Sequence, residues 1–181
     1  MIRRQLLTAL SATAFIPALL SAPQLLAATS ATGEAEKKHA DMTKIVGSLS
    51  LATSRLAVEM AAADMVKMFA KFEVAEQETI ADILTSMEME KAEGALKVPT
   101  DAEVEAMLDP AGKKALATLK GLSGAGFDKA YVAVQLDGHK KLLVIQEDYL
   151  KAGQNREHLS VAKLARGMIN EHLDHLSMLK A

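Results

Sequence analysis

Three histidines and one glutamate have the residue types and the helical spacing of a metal site. Glu76 falls on the apolar stripe of a predicted helix, where a carboxylate costs free energy unless a cation or hydrogen-bond donors pair with it. His172 and His175 lie three residues apart on another helix, a spacing that metal sites on helices use. Helix lengths place His139 at nearly the same height along the bundle as Glu76 and as His172. These four residues are therefore a candidate site for a single transition-metal ion, such as iron, zinc or copper.

Two other interpretations of these residues stay open. The histidines can be structural groups that are hydrogen-bonded in the core, and a lysine or arginine can reach Glu76.

A complete di-iron centre is not expected, because it needs two Glu-x-x-His pairs and two further glutamates. The chain has one such pair, Glu36 to His39. Three methionines near the first predicted turn, which are core residues in the ordinary interpretation, also suggest a copper(I) site: Met60, Met65 and Met68.

Other kinds of chemistry find no support in the sequence. The chain has no cysteine, which excludes disulfides, iron–sulfur clusters and thiol catalysis. It contains no G-x-S-x-G motif and no phosphate-binding glycine loop. Its formal net charge is −2 without a basic block, so no nucleic-acid partner is expected. We predict no catalytic residues and no residues that bind an organic cofactor, and we expect a protein that is not an enzyme.

Composition and periodicity predict an all-α fold. The 181 residues are 50% hydrophobic and only 3% aromatic, and alanine, leucine and ten methionines dominate the apolar set. Apolar residues recur at helical spacing over residues 41–62 and again over residues 64–91, with Asp64 as a candidate cap of the second helix. The predicted buried face of that second helix includes Met65, Phe69 and Phe72. A long connection over residues 94–126 follows, in which Thr100 and Glu103 form a capping box and Asp109-Pro110 starts a further short helix.

Two more long helices complete the predicted architecture. They cover about residues 127–151 and 155–179, with Asn155 as the cap of the last one. The tight turns join the first pair and the last pair of helices, and the connection between the pairs is long enough to run the length of a bundle. This pattern predicts a ferritin-like antiparallel four-helix bundle with a long helical crossover between the second and third helices. An up-down-up-down bundle is the alternative.

The N-terminus has the pattern of an export signal. Residues 1–28 combine a basic start at Arg3 and Arg4 with a short apolar stretch and small residues, which is typical of a cleaved signal peptide. The route is either Sec or twin-arginine export, and an uncleaved anchor is the alternative. Residues 29–40 are predicted to be a flexible lead-in, and residues 41–181 the bundle domain. We therefore expect a periplasmic or secreted protein whose mature chain has no stable transmembrane span.

Several segments of the chain resemble domain-of-unknown-function family 4142, whose members are exported bacterial helical proteins considered ferritin-like. The most specific segment is FDKAYVAVQLDGH at residues 127–139, and the weaker ones are VKMFA at 66–70, Glu76-Gln77, AKLA at 162–165 and EHL at 171–173. The resemblance covers residues 42–180. Many members have an Asp-His pair where this chain has Glu76-Gln77. The resemblance implies the fold and export, and it implies no particular activity.

Two hypotheses about function follow. The first is a non-enzymatic periplasmic protein that binds a protein partner, forms a homo-oligomer or associates with the cell envelope. The alternative is a metal-binding or redox ferritin-like protein with a partial Glu/His site in the middle of the bundle.

Overall fold

The part of the chain that the structure describes is helical and contains no strand. A computed structural model describes residues 33–89, 91 and 94–179. These residues form six helices: α1 (Glu34–Met60), α2 (Asp64–Ser86), α3 (Asp101–Met107), α4 (Pro110–Lys120), α5 (Gly124–Ala152) and α6 (Arg156–Leu179). The predicted all-α class is confirmed. None of these helices combines the length and the apolar character that a membrane crossing requires. The predicted signal peptide over residues 1–28 lies outside the described residues.

The long helices α1 and α5 run in opposite directions. Glu36, near the start of α1, accepts a hydrogen bond from Tyr149 near the end of α5. Further along α1, the hydroxyl of Ser54 bonds that of Tyr131 in the first half of α5. Residues later in α1 thus contact residues earlier in α5, so the two helices are antiparallel. Their packing buries polar side chains between them.

The helices α2 and α6 are antiparallel to each other in the same way. Phe69, near the start of α2, packs against His172 towards the end of α6. Leu84, near the end of α2, belongs to one apolar cluster with Val161 near the start of α6. Short turns join α1 to α2 and α5 to α6. As a consequence, α2 and α5 run in the same direction. The connection between them must therefore lead the chain from the end of α2 back to the level at which α2 began.

The connection contains two short helices that begin where the sequence predicts them. Thr100 and Glu103 form both bonds of the capping box at the start of α3. The side chain of Asp109 caps α4, and Pro110 is its first residue. The predicted cap of α6 is also present, since Asn155 Oδ1 accepts hydrogen bonds from two backbone N–H groups of the first turn. These local predictions are confirmed. They could be made from the sequence because each cap involves only residues that are close in sequence.

The prediction of a flexible lead-in is wrong from Glu34 onward, because α1 begins there and not near Asp41. Glu36, His39 and Ala40 are buried. The hydrogen-bond partners of Glu36 and His39 lie on α5 and α6, more than 100 positions away in the sequence. Tertiary packing therefore extends the helix through a segment whose own sequence has no apolar periodicity.

The predicted buried face of α2 is also wrong in part. Met65 and Phe72 are 58% and 61% exposed, whereas Val66, Phe69, Ala70 and Glu73 are buried. The prediction counted Met65 and Phe72 as buried because they are large and apolar, and this moved the predicted buried face of α2 away from the observed one. The helix also ends at Ser86, before the predicted Lys91, and Asp64 is its first residue without making a side-chain cap.

Candidate metal centre

A buried carboxylate and two buried imidazoles meet inside the helices. Glu73 comes from α2, His139 from α5 and His172 from α6, and their relative exposures are 0%, 0% and 8%. Glu73 Oε2 lies 3.3 Å from His139 Nε2 and 3.0 Å from His172 Nδ1. The two ring nitrogens are 3.0 Å apart. Within the described residues, this Glu73/His139/His172 group, hereafter the triad, is the one set of metal-ligating side chains that converges so closely.

The outer nitrogen of each imidazole is engaged by an acceptor. His139 Nδ1 lies 2.8 Å from the backbone oxygen of Gln135, and a carbonyl can only accept, so Nδ1 carries the proton. His172 Nε2 lies 3.0 Å from a carboxylate oxygen of Glu76, which favours a proton there too. In the neutral imidazoles the inner nitrogens, His139 Nε2 and His172 Nδ1, then carry bare lone pairs.

The carboxylate of Glu73 is held with one oxygen towards the imidazoles. Its Oε1 accepts hydrogen bonds from Gln77 Nε2 and from the hydroxyl of Ser50. Its Oε2 has no hydrogen-bond partner of normal geometry, although two ring nitrogens are within 3.3 Å. Three lone-pair atoms thus face one another in a buried space, and such an arrangement needs a proton or a metal cation between them.

A network of hydroxyls and one amide supports Ser50. Gln135 Nε2 donates to the backbone oxygen of Ser50 and to the hydroxyl oxygens of Thr53 and Ser54, which sets the orientation of its amide. Gln135 Oε1 therefore faces the Ser50 hydroxyl. Because that hydroxyl has one proton, it donates to Glu73 or to Gln135 at any moment. The polar face of α1 thus fixes the position of Glu73.

Electrostatics couples the members of the triad strongly when no metal is bound. Burial disfavours the charged form of His172, but the carboxylates of Glu73 and Glu76 outweigh it and raise the pKa of His172 to about 10. Burial likewise opposes ionisation of Glu73, but the neighbouring imidazoles of His139 and His172 hold the pKa of its carboxyl far below the usual range. In the metal-free protein one proton therefore occupies the space between the three atoms at neutral pH.

The dimensions of the triad match those of a metal coordination face. Zinc binds imidazole nitrogen and carboxylate oxygen at about 2.0–2.1 Å in tetrahedral geometry, which separates neighbouring ligand atoms by about 3.3 Å. Octahedral coordination at a similar distance separates adjacent ligands by about 3.0 Å. The observed separations are 3.0, 3.0 and 3.3 Å. One ion can thus contact all three atoms without a rearrangement of the helices.

The structure brings together two of the four residues that the sequence singled out. His139 and His172 face each other, as helix lengths indicated. Glu76 contacts the far edge of His172, and its side chain is 32% exposed, so it orients that imidazole from outside the triad. His175 is exposed and does not belong to the triad. Among the methionines proposed for copper(I), Met65 and Met68 are exposed on α2, and Met60 is half-buried.

Sequence reasoning missed Glu73, which is fully buried and links both histidines. A usable signal was its position four residues after Phe69 and seven after Val66, both of which are buried on α2. The exposed Met65 and Phe72 masked this signal, because their apolar side chains are larger than those of Val66 and Ala70.

A second buried polar cluster lies near the start of α1. His39 Nε2 donates to Gln146 Oε1 at 2.7 Å, and the Nδ1 atoms of His39 and His158 are 3.3 Å apart. Burial lowers the pKa of both imidazoles, so they are neutral at pH 7, and one N–H···N bond satisfies the pair. The hydroxyl of Tyr149 donates to Glu36 and lowers the pKa of that carboxyl. This cluster is complete without a cation.

The fold and the triad define an all-helical protein with a buried cluster of one carboxylate and two imidazoles. The chain belongs to the family described as domain of unknown function (DUF4142), whose model matches residues 21–179. The family resemblance drawn from the sequence is therefore confirmed. No curated protein and no solved structure shows significant similarity to the chain.

Proposed function

We propose that this protein binds one divalent transition-metal ion at Glu73, His139 and His172. The observation that carries the proposal is the convergence of three buried lone-pair atoms, each held by a partner on its far side. Metal-binding histidines use their second nitrogen in this way, since the outer hydrogen bond fixes the tautomer and the ring orientation.

The donor set restricts the metal. Two imidazole nitrogens and one carboxylate oxygen suit zinc, iron and copper, and they suit calcium or magnesium poorly, because those ions prefer oxygen ligands. The same two-histidine, one-carboxylate set serves non-haem ferrous iron and catalytic zinc, which both keep at least one position open. The proposal is therefore a mononuclear site for a first-row transition metal.

Elemental analysis of protein purified from its native source without chelators tests this function. We expect about one metal ion per chain in the natural protein and loss of that ion in His172→Ala, which removes a ligand. His175→Ala is the matched control, because it lies on the same helix three residues away and is exposed. Equal metal content in the natural protein and His172→Ala, or no metal in the natural protein even after it is supplied, would disprove the site.

We also propose that the domain is a ferritin-like four-helix bundle formed by α1, α2, α5 and α6. The support is the antiparallel packing of α1 with α5 and of α2 with α6, together with the helical connection between two helices of the same direction. In such bundles, side chains from facing helices form metal sites in the core, which agrees with the position of the triad. An experimental structure of the full chain tests this topology.

Binding to a protein partner or to a second copy is the other candidate function. The observation that favours it is a set of strongly exposed apolar side chains on α2 and α6: Met65, Phe72, Leu164 and Met178. Export to the periplasm, by the Sec or the twin-arginine route, belongs to the same proposal. Cell fractionation tests the location, and cross-linking in the periplasm tests the association. A cytoplasmic protein would contradict the first, and a solitary monomer the second.

A further inference from the structure

The two sides of the triad differ in what covers them. Phe69 lies one helical turn before Glu73 on α2, and its ring packs against both imidazoles, with centroid distances of 6.1 Å to His139 and 5.3 Å to His172. Phe69 is itself buried. The Phe69 ring therefore covers the two imidazoles on this side.

A small cavity lies on the other side. It is lined by His139 and His172, and by Gln77 and Ile80, which follow Glu73 by one and two helical turns. Because Phe69 precedes Glu73 and these residues follow it, the cavity and Phe69 are on opposite sides of the triad. Its volume is about 20 Å³. That is enough for one water molecule, which needs about 10–15 Å³ on the same measure.

The walls of the cavity are mainly apolar, with a few polar side chains among them. Thr43, Gln77 and Gln146 line it together with Glu76. The Gln146 amide donates to the Thr43 hydroxyl, and the Gln77 amide donates to Glu73, so these groups are held in place. A water molecule needs two to four polar partners to remain in a buried site, and these side chains are the candidates for that role.

We propose that the open coordination position of the metal faces this cavity and accepts one water or one diatomic molecule, such as dioxygen or nitric oxide, but no larger ligand. The inference rests on the proposed metal function and adds the class of exogenous ligand. The triad binds the ion from one side and the cavity is the space left on the other, so its size sets the selection.

Nitric oxide is the probe, because it is diatomic and its complex with ferrous iron has a characteristic EPR spectrum. The full chain is loaded with ferrous iron without oxygen, and bound iron is measured before the gas is added. We expect a stoichiometric nitrosyl signal that an excess of imidazole does not reduce. Met168 lines the cavity, so Met168→Ala enlarges it. In this variant imidazole should fit and compete with nitric oxide.

Filling the cavity is the complementary experiment. Ala165 is buried and lines the cavity, so Ala165→Leu should keep the iron but lose at least about nine-tenths of the nitrosyl signal. Ala165→Val fills less space and serves if the leucine variant does not fold. Absence of iron would overturn the metal function itself. Iron without a nitrosyl signal, competition by imidazole in the natural protein, or an unchanged signal in a folded filled variant would overturn this inference alone.

Discussion

The Glu73→Gln protein should bind metal at least about 100-fold more weakly than the natural protein, and without metal it should be less stable at neutral pH. Groups that merely orient a metal ligand contribute about 10–100-fold in affinity, and Glu73 is proposed to be a ligand itself. The substitution also removes the negative charge that pairs with protonated His172 and helps to raise its pKa. The Gln oxygen can still accept from Ser50 and Gln77, and its amide N–H groups can donate to His139 Nε2 and His172 Nδ1.

Competition with a chromophoric zinc chelator measures this affinity, and urea unfolding in EDTA measures the stability. Glu78→Gln is the matched control: Glu78 lies on the same helix, and its carboxylate pairs with Arg55 away from the triad. An affinity in Glu73→Gln within a few-fold of that of the natural protein would show that Glu73 is not a ligand. An unchanged metal-free stability at neutral pH would show that the Glu73–histidine ion pair does not support the fold.

The heights of the site residues could be predicted from the sequence, but the direction of each side chain could not. Helix rise and turn positions are local properties, and they placed His139 and His172 at one level, where they lie 3.0 Å apart. Which of Glu73 and Glu76 faces inward depends on the rotation of α2 about its axis. That rotation is set by packing against α1 and α6, where Val66 and Ala70 are buried and Phe72 is exposed.

Polar residues that are buried were the other class that the sequence could not identify. Thr43, Ser50, Thr53 and Ser54 are at most 3% exposed on α1, although their types are typical of a surface or a cap. Each is buried because a partner from a distant helix accompanies it, as Gln135 accompanies Ser50, Thr53 and Ser54. No pattern within one helix reveals such a partner, whereas caps and turns, whose partners are adjacent in sequence, could be predicted.

The stability of the metal-free protein should fall as the pH rises from about 6.5 to about 10, and bound metal should abolish this fall. The carboxylates of Glu73 and Glu76 raise the pKa of His172 from 6.5 to about 10 despite its burial. A group with a raised pKa stabilises the folded state fully below its unfolded pKa, and this contribution disappears as the pH approaches the folded pKa.

For one proton, the free energy of unfolding decreases by at most about 1.4 kcal/mol per pH unit across this window. His39 and His158 do not contribute there, because burial lowers the pKa of both and they titrate below it. Urea unfolding in EDTA at a series of pH values measures the slope. His172→Ala should remove this slope and the exposed His175→Ala should keep it, so an equal slope in both variants would assign the effect to another group.

With zinc bound, the ion replaces the proton, and competition from protons then makes the folded state more stable as the pH rises.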